Sequence, residues 1–301
     1  MTVAEPPEAF VDSGMVVAET PSMAAPSSPA RVVKDTRTRV LHCVGALVAG
    51  GAERSSKDLV LAMKRAGVNV ELVALVSRQD EAGREWEREL KGAGVPVHIG
   101  PVPRMRIPTV LWFARLLRAP NIRILHLHLD YTEVAYTVAR YLHRRRYGVL
   151  RKIHNTELSK GVQAWAFRHS DVRLYYACGE AAHKAFLGHC KGEQILLPNG
   201  LDFHWQPHDP AHRESRLREL GLDPAETHFV HVGSFRGPSP EAAQKAQDVL
   251  IDAWKRSGAG ARKCRLHFLG DGNLLDAHKA MAAGDGSMVF HGVHPRAWQW
   301  M

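Results

Sequence analysis

The sequence predicts an α/β fold in two consecutive domains with parallel sheets, the second domain incomplete. Three observations carry this. Short apolar runs alternate with helical segments from residue 38 to about 200, a polar proline-bearing stretch breaks the pattern at 203–226, and the alternation then resumes up to residue 301. Strands alternating with helices need crossover connections, which are right-handed and give a parallel sheet covered on both faces. Each domain is therefore read as Rossmann-like.

Arg39–Val44 reads as the first strand, followed by the glycine turn Gly50-Gly51 and a helix over about 54–66. On that helix Leu59, Ala62, Met63 and Ala66 share one face at helical spacing. Val68–Val76 and Val95–Ile99 are the next strands, separated by a charged helix over about 81–91. Pro108 suits the first position of a following helix, where its missing N–H would be unpaired anyway. Ile122–Leu129 is a fourth strand with a helix over about 132–146 behind it. Val149–His154, Val172–Ala177 and Gln194–Leu197 follow as strands, with a helix between each pair. Beyond a short helix near 211–220, the second domain reads as strands His228–Val232, Arg265–Leu269 and Met288–Phe290, with helices over about 240–256 and 274–283. The chain thus divides into a disordered leader at 1–36, a first domain at 37–200, a linker at 201–226 and a partial second domain at 227–301.

Composition narrows the function classes. An apolar fraction of 45% and a charged fraction of 24% are those of an ordinary globular protein. Cys43, Cys178, Cys190 and Cys264 form no Cys-x-x-Cys pair, which argues against a zinc or redox motif and for reduced, mostly buried thiols in the cytoplasm. The leader has neither the charged start nor the apolar core of a signal peptide, and no run approaches the ~20 apolar residues that span a bilayer. The net charge of +9 admits nucleic acid, an anionic membrane or a phosphate-bearing substrate as partner. Nucleic acid is disfavoured because no RRM, KH or zinc-finger signature is present. The charge concentrates at Arg104, Arg106, Arg115, Arg118 and Arg123, and again at Arg140, Arg144, Arg145, Arg146, Arg151 and Lys152. Those clusters admit two readings: solvated helix faces, or a peripheral contact with the inner face of a membrane.

The loops carry the chemistry. Gly50-Gly51 stands where the first strand hands over to a helix, so backbone amides and a partial positive charge are available to a phosphate there; a plain turn is the alternative. The run is not G-x-G-x-x-G, so a nicotinamide cofactor is disfavoured, and no cofactor is expected. Arg236 and Lys245, the latter read as lying early in a helix, follow the first strand of the second domain, where two cations suit a diphosphate. Gly233, Gly270-Asp271-Gly272 and Gly292 end the strands of that domain, where glycine lets a nucleotide lie on the backbone. His126 and His128 alternate within one strand and so point to one side of it, and His154 ends the next strand. No His, Cys or carboxylate cluster shows metal-ligand spacing, so no metal is expected.

Individually these signals are weak, but their order resembles a known family. Val40-Leu41-His42-Cys43-Val44 followed by Gly50-Gly51-Ala52-Glu53-Arg54, then Ile195-Leu196-Leu197-Pro198-Asn199-Gly200-Leu201-Asp202, then Val230-His231-Val232-Gly233 with Lys245-Ala246-Gln247-Asp248, then Leu266–Gly272 and Val289–Gly292, is similar to the family 4 glycosyltransferases. The resemblance implies a two-lobed GT-B fold, transfer of a sugar with retention from a nucleotide-diphosphate sugar to a glycan or lipid-linked acceptor, envelope polysaccharide or glycolipid assembly, and no bound metal. It makes Lys245 and Arg236 the diphosphate partners, although Ser234 stands where the family arginine usually follows the strand-end glycine. It makes His128 the catalytic histidine of the acceptor side. The family normally continues into Glu-x7-Glu, which handles the donor. The chain ends before it, so the resemblance implies an impaired donor site or a non-catalytic binding subunit.

Overall fold

The alternation of apolar runs and helices folds into a seven-stranded parallel sheet followed by a three-stranded parallel sheet. The computed structural model describes residues 38–142, 145–154, 156, 160–200, 210–294 and 297–300. The predicted leader, Arg144 and residues 201–209 of the predicted linker fall outside that set.

The first sheet is built from β1 (Arg39–Val44), β2 (Val70–Ala74), β3 (Val97–Ile99), β4 (Ile122–His128), β5 (Gly148–Ile153), β6 (Leu174–Ala177) and β7 (Glu193–Leu196), in the order β3-β2-β1-β4-β5-β6-β7. Helices α1 (Gly51–Arg65), α2 (Glu81–Gly92), α3 (Ile107–Leu117), α4 (Asp130–Ala139), α5 (Gly161–His169) and α6 (Glu180–Phe186) make the crossovers. Two apolar clusters form the core. Val40, Val44, Leu72 and Ala74 pack with Val60 and Leu61 of α1 and Leu90 of α2, while Leu41, Cys43, Leu125 and Leu127 pack with Phe113 of α3 and Tyr136 of α4. Alternate residues of one strand go to opposite clusters, as the period of a strand requires.

Three expectations change at this level. The buried face of α1 is Ser56, Lys57, Val60 and Leu61, whereas Ala62 and Ala66 are exposed. The apolar spacing pointed one residue off because Lys57 is buried through ion pairs to Asp58 and to Glu89 of α2, each at 2.9 Å. Helix α4 is shorter than predicted and passes into a 3-10 turn at Arg140–Leu142. Of the four thiols only Cys43 is fully buried, and burial pushes its pKa up.

After α7 (Pro210–Glu219), the second sheet holds β8 (Thr227–Val232), β9 (Cys264–Leu269) and β10 (Met288–Gly292) in the order β10-β9-β8. Helices α8 (Gln247–Ser257) and α9 (Leu275–Ala282) cover it through Ile251, Trp254 and Ala282, packed on Leu266, Phe268 and Met288. Phe268 and Phe290 stack at 4.7 Å between ring centres.

Candidate active site

In the first sheet the strand order reverses between β1 and β4, because β1 runs on to β2 and β3 on one side while β4 runs on to β5 on the other. Ligands of open parallel sheets bind beyond the carboxyl ends of the strands at such a reversal. Gly50 caps α1 there, and Gly51 is the first residue of that helix. The position is already filled by an anion: the Glu53 carboxylate folds back onto its own backbone amide. Burial raises its pKa, opposed by that amide and by the charges of Arg236 and Arg78. A phosphate at Gly50-Gly51 would have to displace Glu53.

Next to this turn lies a column of imidazoles. His42 of β1 is in register with His126 of β4, and His128 with Lys152 of β5. The alternation seen in the sequence therefore does put His126 and His128 on one side, and His42 joins them from a strand that spacing alone did not connect. One ring nitrogen from each lies within 4.8 Å of the other two, and all three side chains are buried.

The proton positions in this column are set from its two ends, Ser56 and Tyr176. Ser56 Oγ donates its one proton to the Ala52 carbonyl at 2.7 Å, so it accepts from His128 Nδ1 at 2.9 Å. Burial, then the neighbouring imidazoles, holds the pKa of His128 well below the ordinary value, so the ring is neutral and Nε2 keeps its lone pair. That lone pair accepts from His42 Nδ1 at 3.4 Å. His42 Nε2 lies 3.2 Å from the Met63 thioether, an acceptor only, and 3.4 Å from His126 Nδ1, and His126 Nε2 accepts from the Tyr176 hydroxyl at 2.5 Å. Burial and the Lys152 charge lower the pKa of His42 to about 3. Every ring nitrogen of the three has a partner and Lys152 adds positive charge, so the group is built as a neutral hydrogen-bond chain.

His128 is 0% exposed. His154, just past β5, is partly exposed, and its Nε2 is 3.5 Å from His128 Nδ1. Burial and the charges of Lys152 and Arg151 lower its pKa to about 3. Between His128 and α4 the backbone is strained: Leu129 has φ 70° and ψ 156°, a region otherwise kept for glycine. Nothing in the sequence announces that strain. Behind it, Arg151 is buried against Asp130 and against Glu133 at 3.1 Å, and Glu133 also accepts from Ser170 at 2.7 Å and Tyr175 at 3.1 Å.

The second sheet gathers Gly233, Lys245, Gly270, Asp271, Gly272 and Gly292 at its carboxyl edge. Gly270 N–H donates to the Gly292 carbonyl at 2.7 Å, and Gly233 N–H to the Leu269 carbonyl at 2.9 Å. A Cβ on Gly270, which has φ 145°, would sit 2.0 Å from the Gly233 carbonyl oxygen, and one on Gly272 would sit 2.1 Å from that of Phe235. These glycines are thus required by close passage of the two strand-end loops. Lys245 lies before α8, not within it, since Ala246 turns left-handed (φ 49°) to cap that helix. Its side chain is exposed, with Cγ 3.2 Å from the Cβ position of Gly233. Arg236 is exposed, and its Cγ lies 3.1 Å from the Cβ position of Gly272.

Known proteins agree with this architecture. A sequence model described as Glycosyltransferase Family 4 matches residues 49–205, and the chain belongs to that family. No curated protein matches it. Among solved structures, it is similar to Anabaena Alr3699/HepE in complex with UDP-glucose, at 17% identity and a TM-score of 0.63, over 85% of this chain and 69% of that one. It is also similar to a glycosyltransferase from Rickettsia africae, at 13% identity and a TM-score of 0.63, over 87% and 70%. The apo lipopolysaccharide outer core galactosyltransferase WaaB matches at 13% identity and a TM-score of 0.54, over the same shares. These likenesses show the GT-B fold, with its second domain small here. Among the described residues no helix is long and apolar enough to cross a membrane.

Proposed function

We propose that the chain transfers a sugar from a nucleotide-diphosphate sugar to a glycan or lipid-linked acceptor, in cell-envelope polysaccharide or glycolipid assembly. One observation carries this: an exposed lysine and arginine stand over a bare glycine edge at the carboxyl ends of β8, β9 and β10, in a member of family 4. In this reading residues 227–301 hold the donor, 37–200 the acceptor, and 201–226 join them. Lys245 and Arg236 neutralise the diphosphate as it departs, where charge develops. His128 acts from behind as a positioning residue, and His154 is the imidazole that meets substrate. HepE was crystallised with UDP-glucose, which makes uridine donors the first to test.

The arginine clusters support a peripheral contact with an anionic membrane. Arg118 donates to the Leu142 carbonyl and Arg145 to the Ala119 carbonyl, joining the end of α3 to the turn after α4. Ile107 (75% exposed), Leu111 (54%) and Tyr141 (64%) stand out on these two segments beside the arginines.

Calorimetry with UDP, GDP and ADP tests the donor site. Lys245→Ala should weaken all three roughly tenfold to a hundredfold, because a charge-assisted phosphate contact is blind to the base. The control is Lys263→Asn, at the opposite end of β9, where asparagine tolerates the left-handed backbone (φ 55°). Equal behaviour of the two variants would overturn the donor assignment.

A further inference from the structure

We propose that a pocket lined by Arg78, Val102, Pro103, Arg104 and Arg106 binds a phosphate or diphosphate group of the acceptor. The pocket has a volume of about 480 Å³ and lies past the carboxyl ends of β2 and β3. Its walls are fixed by backbone bonds that zip the two loops together: Ser77 N–H donates to the Val102 carbonyl at 2.9 Å, and Gly100 N–H to the Ala74 carbonyl at 2.8 Å. The loop after β1 joins in through a bridge between Leu47 and Gln79.

Three exposed guanidinium groups line this pocket, and among the described residues none of them forms an ion pair. The nearby carboxylates are turned elsewhere. Asp80 accepts from the amides of Ala49 at 2.7 Å and Gly83 at 2.8 Å, and Glu53 folds onto its own amide. Arg78 feels the Glu53 carboxylate only through space, so three like charges converge with no directly paired counter-ion, which is unfavourable in an empty pocket and becomes favourable once a multivalent anion binds. The planar fork of arginine matches phosphate oxygens in pairs, which favours that anion over chloride or a lone carboxylate.

The location fits an acceptor. The pocket opens on the same sheet edge as the histidine column, and β2 is two strands from β4, or roughly 10 Å at the usual strand spacing. Lys245 and the glycine edge belong to the other sheet, but Arg236 and Arg78 both act on the Glu53 carboxylate, so the titration with UDP at saturation is what separates this anion site from the proposed donor site. The inference rests on the transferase reading for the word acceptor; the anion site itself stands on the pocket alone.

Inorganic pyrophosphate is the probe, titrated by calorimetry into the full chain with UDP at saturation so that the second sheet's site is filled. Arg78→Gln with Arg104→Gln should weaken pyrophosphate roughly tenfold or more while UDP affinity is unchanged. Arg168→Gln with Arg173→Gln removes the same charge from exposed positions elsewhere and should leave pyrophosphate affinity unchanged. Pyrophosphate affinity that survives the pocket substitutions, or falls equally in the control, overturns the proposal. Two competitors separate the sources of phosphate: neutral phosphatidylcholine vesicles carrying a polyprenyl diphosphate, and soluble glucose 1-phosphate. Displacement of pyrophosphate by one of them assigns a lipid-linked or a soluble acceptor, and displacement by neither overturns the acceptor assignment. If the chain binds no UDP, the transferase reading fails, yet the same titration without UDP still reports on the arginines.

Discussion

Acidification should unfold this protein through its histidine column. His42, His126 and His128 are buried and neutral, and burial holds their pKa values below the ordinary 6.5, to about 3 for His42. The unfolded chain takes up protons at these positions as pH falls through 6.5, while the folded chain refuses them. Stability contributed by the neutral column is therefore intact above that pH and is lost downward, toward about 3 for His42. Between pH 7 and pH 5 His42 alone costs about 2 kcal/mol, against a typical total of 5–15 kcal/mol, and His126 and His128 add to the loss in the same direction. Urea unfolding followed by circular dichroism at pH 7, 6 and 5 measures this directly. His42→Leu removes one of the titrating groups, so its loss between pH 7 and 5 should be smaller by about 2 kcal/mol, whatever its stability at pH 7. Equal stability of the wild type at pH 7 and 5, or an identical loss in His42→Leu, would refute the reasoning.

Two further substitutions probe the packing around the two sheet edges. Arg151→Met leaves Glu133, 2% exposed, without its cation, and should cost about 3–5 kcal/mol in urea unfolding; a cost under about 1 kcal/mol would mean the network is solvated. Gly272→Ala drives a methyl group to 2.1 Å from the Phe235 carbonyl oxygen. It should cost about 1–3 kcal/mol and weaken UDP together with it, and unchanged UDP affinity would separate this loop from the donor site.

Periodicity made the fold legible and was poor at faces and edges. Arg39–Val44 matches β1 residue for residue, because an apolar run buried on both sides needs no alternation to be read as a strand. Helix α1 was placed correctly, yet its buried face was not. Lys57 and Ser56 face inward through specific polar partners, and no hydrophobicity pattern contains them. The helix expected at 240–256 is divided because Ala246 adopts φ 49°, a conformation that alanine does not advertise.

The site follows the same division. The strand-end glycines were legible because glycine has few reasons to recur there, and the structure shows that the reason includes backbone contact as well as any ligand. The histidine column was half legible. Alternation links His126 and His128 within one strand, but the register that sets His42 beside His126 exists only across strands, and the proton position on His128 depends on a single serine hydroxyl bonded to Ala52. That serine decides which nitrogen of His128 carries the proton. His128, the catalytic histidine that the family resemblance implies, is thereby held neutral, buried and fully hydrogen-bonded, with the more exposed His154 beside it. Ser56→Ala separates the two roles. It removes the acceptor at His128 Nδ1 and frees the ring to change tautomer, so nitrogen-15 chemical shifts of His128 should move while UDP affinity stays the same. Unmoved shifts would show that the His128 tautomer is not set at Ser56, and a fall in UDP affinity would place the column in donor binding.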